Sequence, residues 1–281
     1  STYYATTCRE CAAGCGLIMR TFEGRAIKAE GNPQHPVNRG KLCSRGLTSV
    51  QGLYNPDRIR EPRKAAGRAS GNFIDIAWDE ALDTVSNLLG GDPAGIAFLV
   101  GYQPDHLYDL VKEITAAMGA AAPVRYGALG MFEARATLIE ATRQVSGKAG
   151  LPFFDLNGSD MVFSFGANFL ETWLSPLAYS RGYGNLRQGT LGKRGYLVSF
   201  EARQSVTSGV ADEWVPLIPG SEGLVAKAIG RLAAEIKGQT VPAAFADLDL
   251  AQAALQSGIS EEKLHHLAEL FAGAQQPLAL P

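Results

Sequence analysis

Cys8-Arg9-Glu10-Cys11-Ala12-Ala13-Gly14-Cys15 and, twenty-seven residues later, Leu42-Cys43-Ser44-Arg45-Gly46 hold all four cysteines of the chain. Three thiols on one short loop and a fourth supplied by a distant turn suit a cubic iron–sulfur cluster. Such a cluster needs four thiolates converging on one volume, each bound to a different iron. Structural zinc also takes four cysteines, but its ligands usually arrive as two separated pairs. The 3+1 grouping therefore reads as a [4Fe–4S] site made by Cys8, Cys11, Cys15 and Cys43, with zinc and disulfides as competing readings. Disulfides fit poorly, because a chain of 281 residues that is 46% hydrophobic can fold around a core without them. Ala12, Ala13, Gly14 and Gly16 are small, so backbone N–H groups can approach the sulfurs and offset their negative charge.

Outward from this stretch, Gly16–Phe22 and Arg25–Glu30 read as a hairpin closed by Glu23-Gly24. Gly31-Asn32-Pro33 and His35-Pro36-Val37-Asn38-Arg39-Gly40 supply the turns that return the chain to Cys43. His35 reads as a solvated or hydrogen-bonded loop histidine. The expected organisation is a small β-rich iron–sulfur lobe over residues 1–62, a first α/β unit over 63–149 and a second, dinucleotide-binding-like α/β unit over 150–281.

In the first α/β unit, residues 78–89 have helical periodicity with acids in the first turn, and Gly95–Gly101 is an apolar run expected to be a buried parallel strand. Helices are expected near 105–118 and 131–145. In the second, strands are expected at 160–166, 195–201 and 213–219, with Pro216 marking an edge. A helix is expected from Asn168 through Trp173 and Tyr179. Ser221 and Ser260 are candidate N-caps for helices reaching Ala234 and Phe271. The alternation predicts a doubly wound α/β fold with its ligand loops at the strand C-termini.

Net charge of −2 and a pI near 6.1, with acids and bases interspersed, give no electrostatic case for nucleic acid. No run of eighteen apolar residues occurs, so no membrane-spanning helix is expected. The opening Ser-Thr-Tyr-Tyr-Ala-Thr-Thr does not read as a signal or transit peptide. Arg45, two residues after the last cysteine, either offsets the charge of a cluster or is a solvated structural arginine. Gly166 and Asn168, after a strand, form either a pyrophosphate-receiving turn or an ordinary βα turn. Glu201 could meet a ribose hydroxyl, with Arg203 and Ser205 near for phosphate, or could be a solvated strand end. Glu133, Arg135, Glu140 and Arg143 read as surface pairs along one helix, and His265 and His266 as exposed.

Taken together, the Cys-x2-Cys-x3-Cys-x27-Cys spacing, Glu30-Gly31-Asn32-Pro33, the His35–Gly40 run, Leu42-Cys43-Ser44-Arg45-Gly46 and Trp78-Asp79-Glu80-Ala81-Leu82 resemble the start of the molybdenum/tungsten bis-pyranopterin-guanine-dinucleotide (bis-PGD) oxidoreductases. The resemblance implies a cluster that relays electrons to or from a pterin cofactor, with a basic residue at Arg45 between them. It also puts Gly166-Ala167-Asn168 at the pyrophosphate turn, Glu201-Ala202-Arg203 at an Asp-Pro-Arg element, and Pro219-Gly220-Ser221-Glu222 at a guanine contact. All three depart from the family's residues. No cysteine lies between Gly119 and Gly150 to serve as metal ligand, and Ser146 is the substitute on offer.

The run Phe165–Pro176, with Tyr54-Asn55-Pro56-Asp57-Arg58, is similar to the molybdopterin-like half of the large iron–sulfur subunit of alternative complex III. That branch implies a membrane-associated, quinol-oxidising assembly in which the pterin scaffold persists without molybdenum. The expected partners are iron–sulfur, cytochrome c and membrane quinol-binding subunits. The expected location is the periplasmic face of the bacterial inner membrane, with the cytoplasm as the alternative. Family members are longer, so the chain is expected to be a fragment or a split subunit. The competing functions are the N-terminal part of a catalytic Mo/W-bis-PGD enzyme of the polysulfide or thiosulfate reductase kind, and a zinc-stabilised interaction domain. No catalytic residue is assigned.

Overall fold

The computed structural model describes residues 1–101, 103–127, 131–188 and 194–281, without the side chains of 131–134. The surface pairing expected of Glu133 lies outside the described residues. Two compact units emerge: one comprises Ser1–His35 and Arg39–Leu138, the other Pro36–Asn38 and Ile139–Pro281.

The first unit begins with an antiparallel sheet of β1 (Thr2–Thr7), β2 (Gly16–Phe22) and β3 (Arg25–Gly31). Glu23 and Gly24 both take positive φ, 48° and 78°, the twist that joins a tight hairpin. Helix α1 (Ser44–Leu53) follows, then the ribbon β4 (Arg63–Ala65) and β5 (Phe73–Asp75), held by an Arg63–Asp75 ion pair at 2.7 Å. Helix α2 (Trp78–Leu89) carries Asp79 and Glu80 in its first turn, as expected from the helix dipole.

The run 95–101 departs from expectation. Only β6 (Leu99–Val100) pairs, in parallel, with β7 (Val124–Arg125), and Leu99 is 73% exposed. Two residues per strand in a two-stranded sheet cannot bury both faces. The preceding Pro93–Gly95 instead forms a 3-10 turn capped by Asp92. Between β6 and β7 lies α3 (Asp105–Met118), closed by Gly119 at φ 72°. Helix α4 (Met131–Ser146) completes this half of the chain.

The second unit is a four-stranded parallel sheet of β8 (Met161–Phe165), β9 (Tyr196–Phe200), β10 (Glu213–Val215) and β11 (Pro277–Leu280), in the order β10-β9-β8-β11. The central strands are apolar on both faces because both are covered, as in α/β sheets generally. Phe163, Val198 and Phe200 pack with Val225, Ile229, Leu264 and Leu267, and the Phe165 and Phe200 rings stack at 4.5 Å. The covering helices are α5 (Pro176–Gln188), α6 (Val206–Gly209), α7 (Glu222–Ile236), α8 (Ala243–Ala246), α9 (Leu250–Ser257) and α10 (Glu261–Gly273). The chain steps from β8 to β10 in one direction, then returns to the other side of β8. That reversal puts the topological switch point, where open α/β sheets bind ligands, at β8.

Three local expectations are corrected here. The helix expected from Asn168 starts only at Pro176, because the Asn168 carbonyl gathers the N–H groups of Glu171, Thr172 and Trp173 into turns and Leu174 takes φ 49°. Ser175, before a proline, is also disfavoured in the helical region. Strand β10 stops at Val215, an edge strand as Pro216 suggested. Ser221 occupies the N-cap of α7, yet its Oγ donates to the Ile218 carbonyl and makes no cap bond. Ser260 does cap α10, accepting from the Lys263 N–H at 3.2 Å.

Two polar devices set the sheet edges. The Asp160 carboxylate accepts from the N–H groups of Gln275 and Gln276, 2.9 and 2.8 Å, and so aligns β11 with β8. Arg187 of α5 bonds the carbonyls of Gly195 and Val210, the Tyr183 hydroxyl and the Asp212 carboxylate, while Asp212 also accepts from Leu197 N–H. Replacing Arg187 by Met leaves Asp212 without its main counter-charge. The expected loss is roughly 2 kcal/mol, below that of a fully buried pair because both groups keep some solvent access. Urea unfolding of the variant checks it.

Candidate metal centre

The cysteine loop is pinned at both ends. Strands β1 and β2 pair up to Thr7 and Gly16, and the Cys8 N–H continues the ladder to the Cys15 carbonyl at 2.7 Å. Residues 8–15 therefore bulge from the end of a hairpin, with Gly14 turning at φ 58°. Cys8 and Cys15 are buried, Cys11 and Cys43 half-buried, and all four are free thiols, which removes the disulfide reading.

Cys43 arrives by a separate route. Asn32 N–H bonds the Gly16 carbonyl, and Gly40 N–H bonds the Asn32 carbonyl, so Asn32 and Gly40 are held beside the start of β2. Gly31 lies so close to residues 40 and 41 that a Cβ there would fall 2.5 Å from Gly40 C and O. Cys43 then occupies the N-cap of α1. The free N–H groups and dipole of a helix N-terminus favour a thiolate at that position.

The four thiols act on one another electrostatically. Burial pushes Cys15 up to about 11, with further upward contributions from Cys11, Cys8 and Cys43. Burial also raises Cys8, and Cys11, Glu10 and Cys43 add to it. Burial and neighbouring sulfur charge thus oppose thiolate formation at Cys8 and Cys15, and the positive charge of bound iron would offset both. Among the described residues, no three of His, Cys, Asp or Glu form a group that could hold a metal ion. A cube asks for a different spacing, one thiolate per iron. The donor set and its pinned loop fit that group.

His35 is a half-buried loop residue whose backbone N–H bonds the Asn32 carbonyl and whose carbonyl accepts from Arg39 N–H. Its ring lies against Gly16, where a Cβ would meet His35 Cβ and Cγ at 2.6 Å, and its Nδ1 is buried without a partner among the described residues. Arg45 is exposed on the first turn of α1.

In the second unit, the predicted cofactor residues collect at the carboxyl ends of β8 and β9. Gly166 ends β8 at φ 77° and donates to the Phe200 carbonyl at 3.0 Å; the atom nearest its absent Cβ is Glu222 Cγ at 3.7 Å. Glu201 is buried rather than a solvated strand end. Ser208 Oγ donates to its Oε2 at 3.2 Å, whereas Oε1 is buried with no partner among the described residues. Asn168 Oδ1 is likewise buried and unmatched. Ser205 and Ser208 form a capping box on α6 beside Glu201. Arg203 is exposed on the loop after β9. Two buried acceptors without a donor among the described residues, beside a glycine turn at the switch point, fit the hydroxyl and amino groups of a nucleotide.

Residues 1–55 match the family described as the molybdopterin oxidoreductase Fe4S4 domain. The menaquinone reductase molybdopterin-binding-like subunit of Nitratidesulfovibrio vulgaris is 25% identical, over 100% of this chain and 41% of that protein. The arsenate respiratory reductase molybdopterin-containing subunit of Shewanella sp. is 27% identical, over 82% of this chain and 27% of its own length. Acetylene hydratase from Pelobacter acetylenicus shares the fold at TM-score 0.73, with 17% identity, over 99% of this chain and 40% of that one.

Residues 1–55 thus carry the molybdopterin oxidoreductase Fe4S4 domain, and the chain as a whole is similar to the N-terminal part of molybdopterin oxidoreductases. It spans less than half the length of these relatives. An Fe4S4-domain lobe followed by a doubly wound α/β unit is the order of the chain, and its fold is shared with acetylene hydratase.

One residue of the first unit escaped sequence reasoning. Arg135 of α4, expected in a surface pair, sends its Nη2 to the Ala12 carbonyl at 3.2 Å, inside the cysteine loop. Nothing in the sequence links positions 123 residues apart. The Glu140–Arg143 pair did form, at 2.6 and 2.8 Å. Replacing Arg135 by Met is expected to speed amide exchange across Cys11–Cys15 by roughly tenfold or more, the equivalent of one charge-assisted hydrogen bond. Hydrogen-exchange mass spectrometry of wild type and variant checks this.

Proposed function

We propose that Cys8, Cys11, Cys15 and Cys43 hold one [4Fe–4S] cluster and that this chain is the electron-transfer and scaffold part of a quinol-oxidising respiratory oxidoreductase of the alternative complex III kind. The observation that carries the reading is the loop pinned by the Cys8–Cys15 backbone bond, with Cys43 brought in at a helix N-terminus. When bound, the cluster supplies one-electron transfer. The chain's own residues exclude water through the burial of Cys8 and Cys15, and they hold the loop through Arg135. Arg45, exposed on the first turn of α1 two residues after Cys43, would offset the negative charge of the bound cluster and stand on the electron path from it. The menaquinone reductase relative, named as molybdopterin-binding-like, supports a scaffold role in quinone-linked respiration.

On this reading the chain sits peripherally at the periplasmic face of the inner membrane, docked to cytochrome, iron–sulfur and quinol-binding subunits. Among the described residues no helix is long and apolar enough to cross a membrane.

A second reading is favoured by one observation. The orphaned Glu201 Oε1 and Asn168 Oδ1 suit a pterin guanine dinucleotide, as in a working Mo/W-bis-PGD enzyme. Gly166, Asn168, Glu201, Arg203 and Glu222 would then hold one nucleotide half, and the pterin would supply the dithiolene that carries the metal. Metal, sulfide and pterin analysis of anaerobically purified chain separates the two. Iron and sulfide without molybdenum, tungsten or pterin supports the scaffold; stoichiometric pterin with either metal supports the enzyme. One zinc per colourless chain would overturn both.

A further inference from the structure

Two adjoining clefts in the first unit belong to neither the cysteine loop nor the nucleotide crevice. One, of about 650 Å³, is lined by Arg25, Arg58 and Arg60 together with Leu53, Tyr54 and Ile59. The other, of about 490 Å³, shares Ile59 and Arg60 and runs on to Phe73 and Trp78. The Arg25 guanidinium is held over the Tyr54 ring, 4.7 Å from its centroid, so the basic end is ordered by the chain itself.

Charge at this surface is unbalanced. Among the described residues none of Arg25, Arg58 and Arg60 has a carboxylate partner, whereas neighbouring Arg63 is taken by Asp75. Glu61 lines the second cleft but makes no ion pair with them. Beside the arginines, Ile59, Phe73 and Trp78 are each more than 60% exposed. Guanidinium groups seek carboxylates in bidentate pairs, and clustered exposed aromatic and aliphatic side chains mark partner sites.

We propose that these joined clefts are the docking groove for a polypeptide segment of a partner protein that alternates acidic with apolar side chains. Carboxylates of the segment pair with Arg25, Arg58 and Arg60, and its apolar side chains fill the part walled by Ile59, Phe73 and Trp78. Concavity favours a polypeptide over a bilayer: a cleft receives side chains, whereas membrane binding inserts protruding ones. The chain's net charge of −2 offers no general attraction to an anionic surface either. The inference rests on this surface alone and is independent of cluster occupancy.

The test is fluorescence anisotropy of the full chain with a short labelled peptide that alternates glutamate with leucine and phenylalanine. A matched lysine peptide and vesicles of phosphatidylglycerol in phosphatidylcholine serve as comparisons. Binding of the glutamate peptide is expected to weaken with salt and to fall at least about tenfold in the Arg58→Glu, Arg60→Glu double variant. Lys237→Glu, a reversal on the second unit, is expected to leave it unchanged. Absence of binding, equal binding by the double variant, or equal binding of the lysine peptide would overturn the proposal. So would vesicle binding that the double variant loses while the peptide does not bind, which would make the groove a lipid site.

Discussion

Replacing Cys15 by Ser is expected to remove most of the iron and sulfide from the chain and to loosen residues 8–15. Cys15 is 5% exposed, closes the hairpin ladder through its carbonyl, and stands in electrostatic reach of the other three thiols. A serine keeps the size but offers a hydroxyl whose alkoxide is far harder to form than a thiolate, so it cannot take the same share of iron's charge. Because ligand binding and the folding of a small metal lobe are coupled, amide protection across the loop should drop with the iron content. The second unit, with its own core around Phe163 and Phe200, should unfold as in the wild type. Full iron content in the variant would remove Cys15 from the ligand set.

Gly31→Ala is expected to cost the first unit about 3 kcal/mol, at the upper end for overpacking. The obstacle is backbone: the new Cβ would lie 2.5 Å from Gly40 C and O and 2.6 Å from the Lys41 carbonyl. No side-chain rotation relieves that contact, so the segment carrying Cys43 must move away from β3. Iron retention should fall along with stability, although no thiol has been touched. Gly52→Ala, inside α1 where a Cβ meets nothing within 4 Å, is the matched control and should be neutral or slightly stabilising, by up to about 1 kcal/mol. Thermal unfolding followed by circular dichroism, with iron counted on the same samples, checks both outcomes.

Legibility from sequence follows the range of the forces involved. The Gly16–Phe22 hairpin, α2 and the order of strands and helices in the second unit were readable because each rests on periodicity or turn chemistry within a few residues. The cysteine spacing likewise points to the convergent donor set proposed above. What could not be read were consequences of tertiary packing. The run 95–101 looks like a core strand, yet among the described residues only β7 pairs with it and Leu99 stays exposed. Asn168 looked like the start of a helix, and its carbonyl captured three amides instead. Arg135 resembled any other helix-surface cation, and only the folded chain brings it to Ala12. Glu201 illustrates the same limit at the second site, since burial and an unmatched oxygen have no sequence signature.

The most direct test of the central claim is EPR spectroscopy of the anaerobically purified chain, before and after dithionite. A paramagnetic signal of a one-electron-reduced [4Fe–4S] cluster should appear on reduction, in proportion to iron content, and be absent from the Cys15→Ser variant. A chain that carries zinc, shows no visible absorption to bleach and remains EPR-silent on reduction would contradict it.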